Sequence, residues 1–176
     1  MKNRINLMHA LQKLFRLNDT NWMRHANPWS VYTRYSALPL ILLSIWSKCW
    51  IDNFWYLALG LSIIWTFVNP VLFKKPRSTN NWASHCVFGE RVYINRKKID
   101  IPKHHKTPII PIQNTIAGIG FVVSIIAASQ YEFWVMMFGL SLAILGKTWF
   151  LDRMVWLFHD MKDKNEEYHN WQYTHK

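Results

Sequence analysis

At 176 residues, the chain is long enough for one domain with a single core. Its 21 Lys and Arg residues against 10 Asp and Glu residues give a formal net charge of +11, which predicts an anionic partner, either lipid headgroups or nucleic acid. Two cysteines, Cys49 and Cys86, exclude a framework of several disulfides, and no Cys-x-x-Cys motif is present for a zinc or redox site.

The first 17 residues, MKNRINLMHALQKLFRL, predict an amphipathic helix rather than a cleavable signal peptide. Ile5, Met8, Leu11 and Phe15 recur at helical spacing, and basic residues interrupt any continuous hydrophobic centre. Such a helix can pack on the rest of the protein or lie on a lipid surface, and both alternatives stay open.

The segment RHANPWSVYTR, residues 24–34, leads directly into the first long apolar block. Asn27 before Pro28 predicts a helix start, because the residue before a proline disfavours helix and proline fits the first helical turn. Arg24 and His25 then lie beside a helix N-terminus, whose free amide groups attract anions.

Four apolar blocks are each close to the roughly 20 residues that a membrane-crossing helix needs. Short turns join the first to the second and the third to the fourth, and aromatic residues gather at the block ends. We therefore predict an all-α integral membrane protein with four transmembrane helices as two hairpins, in one domain over residues 1–176. A soluble four-helix protein is the alternative, but the blocks lack a polar face. The predicted spans are residues 35–51, 54–73, 109–129 and 133–151.

Basic residues fall on one side of these spans, which predicts that residues 1–34, 74–108 and 152–176 are cytoplasmic. The expected location is the bacterial inner membrane, with both termini in the cytoplasm. Within the central segment, apolar residues at helical spacing predict a short interfacial helix over about residues 81–95, resting on the bilayer or on the bundle.

Histidines form the only set that could hold a metal, but neighbouring histidines rarely share one ion and no His-x-x-His-His motif is present. We therefore predict no metal site and no particular cofactor; the weak candidates are His25, His104, His105 and His159.

Polar residues of the last block, Thr148, Asp152, His159 and Asp163, fall broadly on one helical face. They predict either salt bridges to the basic segment or a working site, because ionisable residues at a membrane edge are often functional.

Four motifs in order, RHANPWSVYTR, NPVLF, NWASHCVFGERVYINR and GKTWFLDRMVW, resemble a family of small prokaryotic four-span membrane proteins known only as a domain of unknown function. The resemblance covers about residues 22–162 and implies a shared fold and site neighbourhood without a substrate. The matching positions are Arg24, His25, Asn27, Pro28, Trp29, Arg34, Asn69, Pro70, Trp82, Gly89, Glu90, Arg91, Asn95, Asp152 and Arg153.

The leading functional hypothesis is a cytoplasm-facing pocket that binds an anionic lipid headgroup or a small anion, with arginines supplying the positive field. The expected ligand-binding residues are Arg24, His25, Asn27, Trp29, Arg34, Trp82, Glu90, Arg91, Asn95, Asp152 and Arg153.

Two alternatives stay open. One is an oligomeric channel or carrier assembled through stripes of small residues, residues 120–128 and 58–66, which could equally pack within the bundle. The other is a membrane enzyme acting on a lipid-soluble substrate, with His25, Glu90 or Asp152 as acid or base. The expected partner is a bilayer with anionic headgroups, and a homo-oligomer or larger membrane complex is open. Nucleic acid is not expected, because the anionic lipid surface is nearer to the basic segment.

Overall fold

The computed structural model describes residues 19–174, which form helices joined by turns and by two longer connections, residues 73–81 and 96–108. The predicted amphipathic helix of the first 17 residues lies outside the described residues. Asn27 initiates a helix as the sequence predicts: its side-chain oxygen accepts a hydrogen bond from the Trp29 backbone N–H at 2.9 Å, and Pro28 occupies the first turn. The first five helices are α1 Asp19–His25, α2 Pro28–Thr33, α3 Ala37–Trp46, α4 Lys48–Ile51 and α5 Trp55–Leu72.

Asp52 separates α4 from α5, because its φ of 44° and ψ of −125° cannot continue a helix. Hydrogen bonds then link α5 back to the preceding segment in reverse order. Ser44 Oγ lies 2.8 Å from Ser62 Oγ, and Asn69 Nδ2 donates to Thr33 Oγ1 at 2.6 Å. The two stretches therefore run in opposite directions.

The second half of the chain contains α6 Trp82–Asn95, a 3₁₀ turn at Lys103–His105, α7 Ile109–Ser129, α8 Phe133–Met161 and α9 Glu166–His169. Helix α6 has the predicted limits, and Asn81 caps it by accepting a hydrogen bond from the Ser84 backbone N–H. Helix α8 continues ten residues beyond the predicted span end at residue 151, because apolar residues keep recurring at helical spacing through Met161 and pack against α6.

Glycines allow α7 and α8 to make the most extensive helix contact of the described chain. A Cβ on Gly139 would lie 2.6 Å from the Ser124 backbone nitrogen, and a Cβ on Gly146 would lie 2.8 Å from that of Ala117. Gly120 meets the Ala143 backbone in the same way. These backbones approach closely only because no side chain separates them.

The bundle has two distinct ends. Trp46 makes edge-to-face contacts with Tyr131 and Phe133, so the turns at residues 47–54 and 130–132 lie together, at what we name the turn end. At the opposite end, Tyr35 hydrogen-bonds to Thr148. This end also contains α1, α6 and the rest of the lysine- and arginine-rich segment 74–108. We name it the basic end.

Three helical stretches are long and apolar enough to cross a membrane: Pro28–Leu72, Lys103–Ser129 and Phe133–Met161. In the most apolar 18 residues of each stretch, only 17%, 22% and 33%, respectively, are buried inside the protein. Most of their apolar side chains therefore face outward. The predicted all-helical fold is confirmed for the described residues, in which an isolated bridge between Ser78 and Thr174 is the sole β pairing.

Candidate functional site: a charged cavity at the basic end

A cavity of about 140 Å³ opens at the basic end where α2, α6 and α8 meet. Its charged lining comes from three side chains, those of Arg34, Glu90 and Lys147, each carried by a different part of the chain. The remaining wall is mostly apolar. It consists of Val31, Tyr35, Cys86, Val87 and Leu151.

Arg34 is held rigidly by its own segment. Its Nε donates to the Ser30 carbonyl at 3.0 Å, and its Nη2 donates to the His25 carbonyl at 3.2 Å. Its Nη1 donates to His25 Nε2 at 2.7 Å. A guanidinium carries five N–H groups, so these three bonds fix its orientation with donor capacity to spare for the cavity.

His25 is the neutral partner of this arginine. Burial lowers the pKa of His25 well below its usual value, and the positive charges of Arg34 and Lys147 lower it further. Because a guanidinium can only donate, His25 Nε2 must be the acceptor and its proton lies on Nδ1. His25 therefore positions Arg34 from behind the cavity wall.

Glu90 and Lys147 form an ion pair across the cavity, with Glu90 Oε1 2.8 Å from Lys147 Nζ. The Glu90 side chain is 18% exposed and that of Lys147 is 47% exposed, so the pair is accessible from outside. Lys147 also lies over the Phe150 ring, with its Nζ 4.5 Å from the ring centroid. Arg34 also lines the cavity and interacts electrostatically with Glu90, so the lining has two cations, one carboxylate and one net positive charge.

The other predicted ligand residues of the N-terminal segment have structural contacts away from the cavity. Arg24 Nε donates to the Phe73 carbonyl at 3.0 Å, and Asn27 Nδ2 donates to the Lys74 carbonyl at 2.8 Å. Trp29 is exposed on the surface of α2.

Later predicted residues are also dispersed. Trp82 Nε1 donates to Asp152 Oδ1 at 3.2 Å. The guanidinium of Arg153 lies over the Trp156 ring, 4.9 Å from its centroid. The carbonyl of Asn95 accepts hydrogen bonds from the backbone after the end of α6.

Arg91 packs against other residues of the basic end and does not line the cavity. Its Nη2 lies 3.3 Å from Glu167 Oε1, and its guanidinium lies over the Trp171 ring, 4.3 Å from the centroid. A contact with the Trp22 ring at 5.9 Å completes this arrangement. Of the predicted ligand residues, Arg34 and Glu90 line the cavity and His25 supports it.

A family model matches residues 6–174, nearly the whole chain, and is described as a family of unknown function (DUF6653). The chain belongs to this family. No curated protein and no solved structure matches it. The predicted membership of a family of unknown function is thus confirmed, and DUF6653 supplies no activity for the cavity.

Lys147 and Tyr35 are cavity residues of this DUF6653 chain that were absent from the predicted set. The sequence carried a signal for Lys147, because a lysine inside the apolar block GLSLAILGKTWF is costly unless it has a partner. Its partner Glu90 lies 57 positions away, and no sequence spacing connects the two.

The polar face predicted on the last block makes contacts with several different elements. Thr148 bonds to the Tyr35 hydroxyl at 2.9 Å, and Asp163 Oδ1 lies 3.3 Å from His169 Nδ1. The His159 ring contacts the His85 ring edge-to-face, with centroids 4.9 Å apart. Burial lowers the pKa of His85 to about 4, and the neighbouring His159 and Lys162 lower it further.

The histidines proposed as weak metal candidates separate into two groups. His25 and His159 lie in the contacts described above. His104 and His105 both approach Asp160, a residue that the sequence did not single out, with Nε2 to Oδ2 distances of 2.7 and 2.8 Å.

Proposed function

We propose that the protein is a four-span protein of the bacterial cytoplasmic membrane and that its cavity binds an anionic group from the cytoplasmic side. The observation that carries the binding proposal is that two cations, Arg34 and Lys147, line an accessible cavity with apolar walls in which Glu90 is the one carboxylate.

The four-span arrangement is supported by the length and break of the first apolar stretch. Pro28–Leu72 has 45 residues and would extend about 68 Å as one straight helix, more than twice the roughly 30 Å of a bilayer core. Asp52 interrupts it, and its halves run in opposite directions. We therefore propose that it crosses twice and that α7 and α8 form the second hairpin.

The proposed orientation is supported by the distribution of basic residues between the two ends. The turn end has Lys48 as its basic residue, whereas the segment between α5 and α7 has nine. Since basic flanking segments are retained in the cytoplasm, the basic end and both termini are cytoplasmic in this proposal. The cavity then opens near the inner headgroup region.

A phosphate or carboxylate suits this cavity chemically. Arg34 is fixed by three hydrogen bonds and offers a preorganised planar donor, while Lys147 offers a mobile ammonium. An incoming anion can bind between them and draw Lys147 away from Glu90. Val31, Val87 and Leu151 provide apolar contacts that a lipid can use and a free anion cannot.

The test reconstitutes the full-length protein in nanodiscs of phosphatidylglycerol and phosphatidylcholine and measures the retained lipid by native mass spectrometry. We expect phosphatidylglycerol to be enriched. Inorganic phosphate, added at millimolar concentration, distinguishes a lipid headgroup from a free anion as the ligand. If phosphate removes the enrichment, or binds to a protein that shows no lipid preference, the phosphate group itself is the ligand. The proposal would be overturned if phosphatidylglycerol were not enriched and inorganic phosphate did not bind.

Three glutamine variants locate the binding. Arg34→Gln and Lys147→Gln should weaken retention about tenfold or more, because each removes a charge-assisted hydrogen bond. Arg77→Gln removes the same charge from an exposed position between α5 and α6 and should leave retention unchanged. Lys147 is the more exposed cavity cation, so its variant tests the proposal even if Arg34→Gln folds poorly. An equal loss in Arg77→Gln would mean that bulk charge, and not the cavity, binds lipid.

The alternatives receive less support from the described contacts. Both small-residue stripes suggested for subunit packing are used inside the chain, since Gly120 and Ser124 pack against α8 and Ser62 bonds to Ser44. An oligomeric channel would need a different surface. The enzyme alternative needs its acid and base close together. Asp152 is exposed and hydrogen-bonded to Trp82, whereas Glu90 lines the cavity, so the two carboxylates do not share a site.

A further inference from the structure

His104, His105 and Asp160 form a second site at the basic end, separate from the Arg34 cavity. One oxygen, Asp160 Oδ2, lies 2.7 Å from His104 Nε2 and 2.8 Å from His105 Nε2. One ligand atom from each residue can be chosen so that all three lie within 4.8 Å of one another. Two imidazoles and a carboxylate oxygen thus converge on one point.

Neighbouring histidines rarely reach one ion, but the local backbone brings these two rings to the same carboxylate oxygen. Lys103–His105 forms a 3₁₀ turn after Pro102, and the His105 N–H bonds to the Pro102 carbonyl at 3.0 Å. The two imidazole centroids are 4.3 Å apart, and both rings face the end of α8. The turn therefore presents the two rings to Asp160 together.

One of the three side chains is buried and held in place, and the other two are accessible from outside. The His105 side chain is 2% exposed, so packing fixes its ring, whereas His104 and Asp160 are exposed and leave a path for an ion. Arg153 lies close enough to act electrostatically on His105. The Asp160 carboxylate offsets that positive charge at the convergence point.

We infer that His104, His105 and Asp160 bind a divalent transition-metal ion of the zinc type. Imidazole nitrogen and carboxylate oxygen are ligands that Zn²⁺ accepts, whereas Mg²⁺ and Ca²⁺ prefer oxygen ligands. Three protein ligands leave a fourth tetrahedral position for water or a small ligand. In binding, each imidazole presents an unprotonated Nε2 to the metal in place of its hydrogen bond to Asp160. The bound ion links the turn before α7 to the end of α8.

The test titrates untagged, chelator-treated full-length protein in detergent with Zn²⁺ by isothermal calorimetry, and follows Co²⁺ binding by visible absorption. We expect one saturable equivalent and a tetrahedral Co²⁺ spectrum. His104→Gln and Asp160→Asn should each weaken Zn²⁺ binding at least about tenfold, since even changes outside the direct ligands cost 10- to 100-fold. His104 is exposed, so its variant is the least disruptive to folding.

The matched control is His169→Gln. His169 Nδ1 also faces an aspartate, Asp163 Oδ1 at 3.3 Å, but within residues 19–174 no second imidazole joins that pair. This variant should bind Zn²⁺ as the wild type does. The assignment would be overturned if His104→Gln and Asp160→Asn bound Zn²⁺ as tightly as the wild type, or if no saturable binding were found. It would also be overturned if His169→Gln lost as much Zn²⁺ affinity as those two variants.

Discussion

The two ends of this bundle are built on different packing rules. At the basic end, a large cluster of buried side chains joins α1, α6 and the second half of α8, and aromatic residues such as Phe88, Phe158 and Trp171 lie at its centre. At the turn end, the buried cluster is small, with Leu42, Ala127, Ala128 and Met136. Large side chains there, such as Trp134 and Phe138, face outward.

This difference follows from the solvent that each end meets in the proposed topology. Water drives large apolar side chains into a core, so the basic end packs as a soluble protein does. Lipid tails are as apolar as those side chains and provide no such drive, so helices associate through close backbone contact and hydrogen bonds instead. The glycines of the α7–α8 contact and the Ser44–Ser62 pair supply those interactions.

The largest expected effect is a difference in stability between two substitutions, one near each end of α8. Phe158→Ala removes a fully buried ring of the basic end, and we expect it to lower the free energy of unfolding by about 3–5 kcal/mol. Phe138→Ala removes a ring that is 65% exposed, and we expect a much smaller change. Unfolding in detergent, followed by tryptophan fluorescence during an SDS titration, measures both. Similar losses would contradict the distinction between the two ends.

A smaller effect tests the close approach of α7 and α8. Gly120→Ala places a Cβ against the Ala143 backbone, which cannot move aside as a flexible side chain could. We expect a loss of about 1–3 kcal/mol in the same titration, typical of overpacking. Gly118→Ala is the control on the same helix, because nothing lies within 4 Å of its Cβ and alanine favours helix. A loss as large in Gly118→Ala would show that the contact with the Ala143 backbone does not cause the loss in Gly120→Ala.

The sequence predicted most of the fold because the signals involved are local. Apolar blocks, the Asn27-Pro28 start and the limits of α6 all depend on residues a few positions apart. The continuation of α8 beyond the predicted span end at residue 151 agrees with the helical face predicted for Thr148 to Asp163, whereas its packing into the core of the basic end depends on distant residues and was not predicted.

The candidate site was harder to predict because it depends on distant contacts. Arg34 and Glu90 were identified from their chemistry, but the pairing of Glu90 with Lys147 requires α6 to lie across α8. The residue that permits this is Gly89, whose Cβ would collide with the Met154 backbone. In the sequence it stands out as one glycine within a helical pattern. Asp160 escaped notice for a similar reason, since its two histidines are more than 50 positions away.

The smallest expected effect concerns the Ser44–Ser62 pair, whose Oγ atoms lie 2.8 Å apart between α3 and α5. A double-mutant cycle with Ser44→Ala, Ser62→Ala and the double variant isolates their interaction from the backbone bonds that each hydroxyl also makes. We expect a coupling of about 0.6 kcal/mol, the average for side-chain hydrogen bonds between membrane helices. Because each hydroxyl keeps a carbonyl partner on its own helix, losing the other serine leaves no unpaired group. A coupling above about 2 kcal/mol would contradict this, since it would exceed the maximum of about 1.7 kcal/mol found for such bonds between membrane helices.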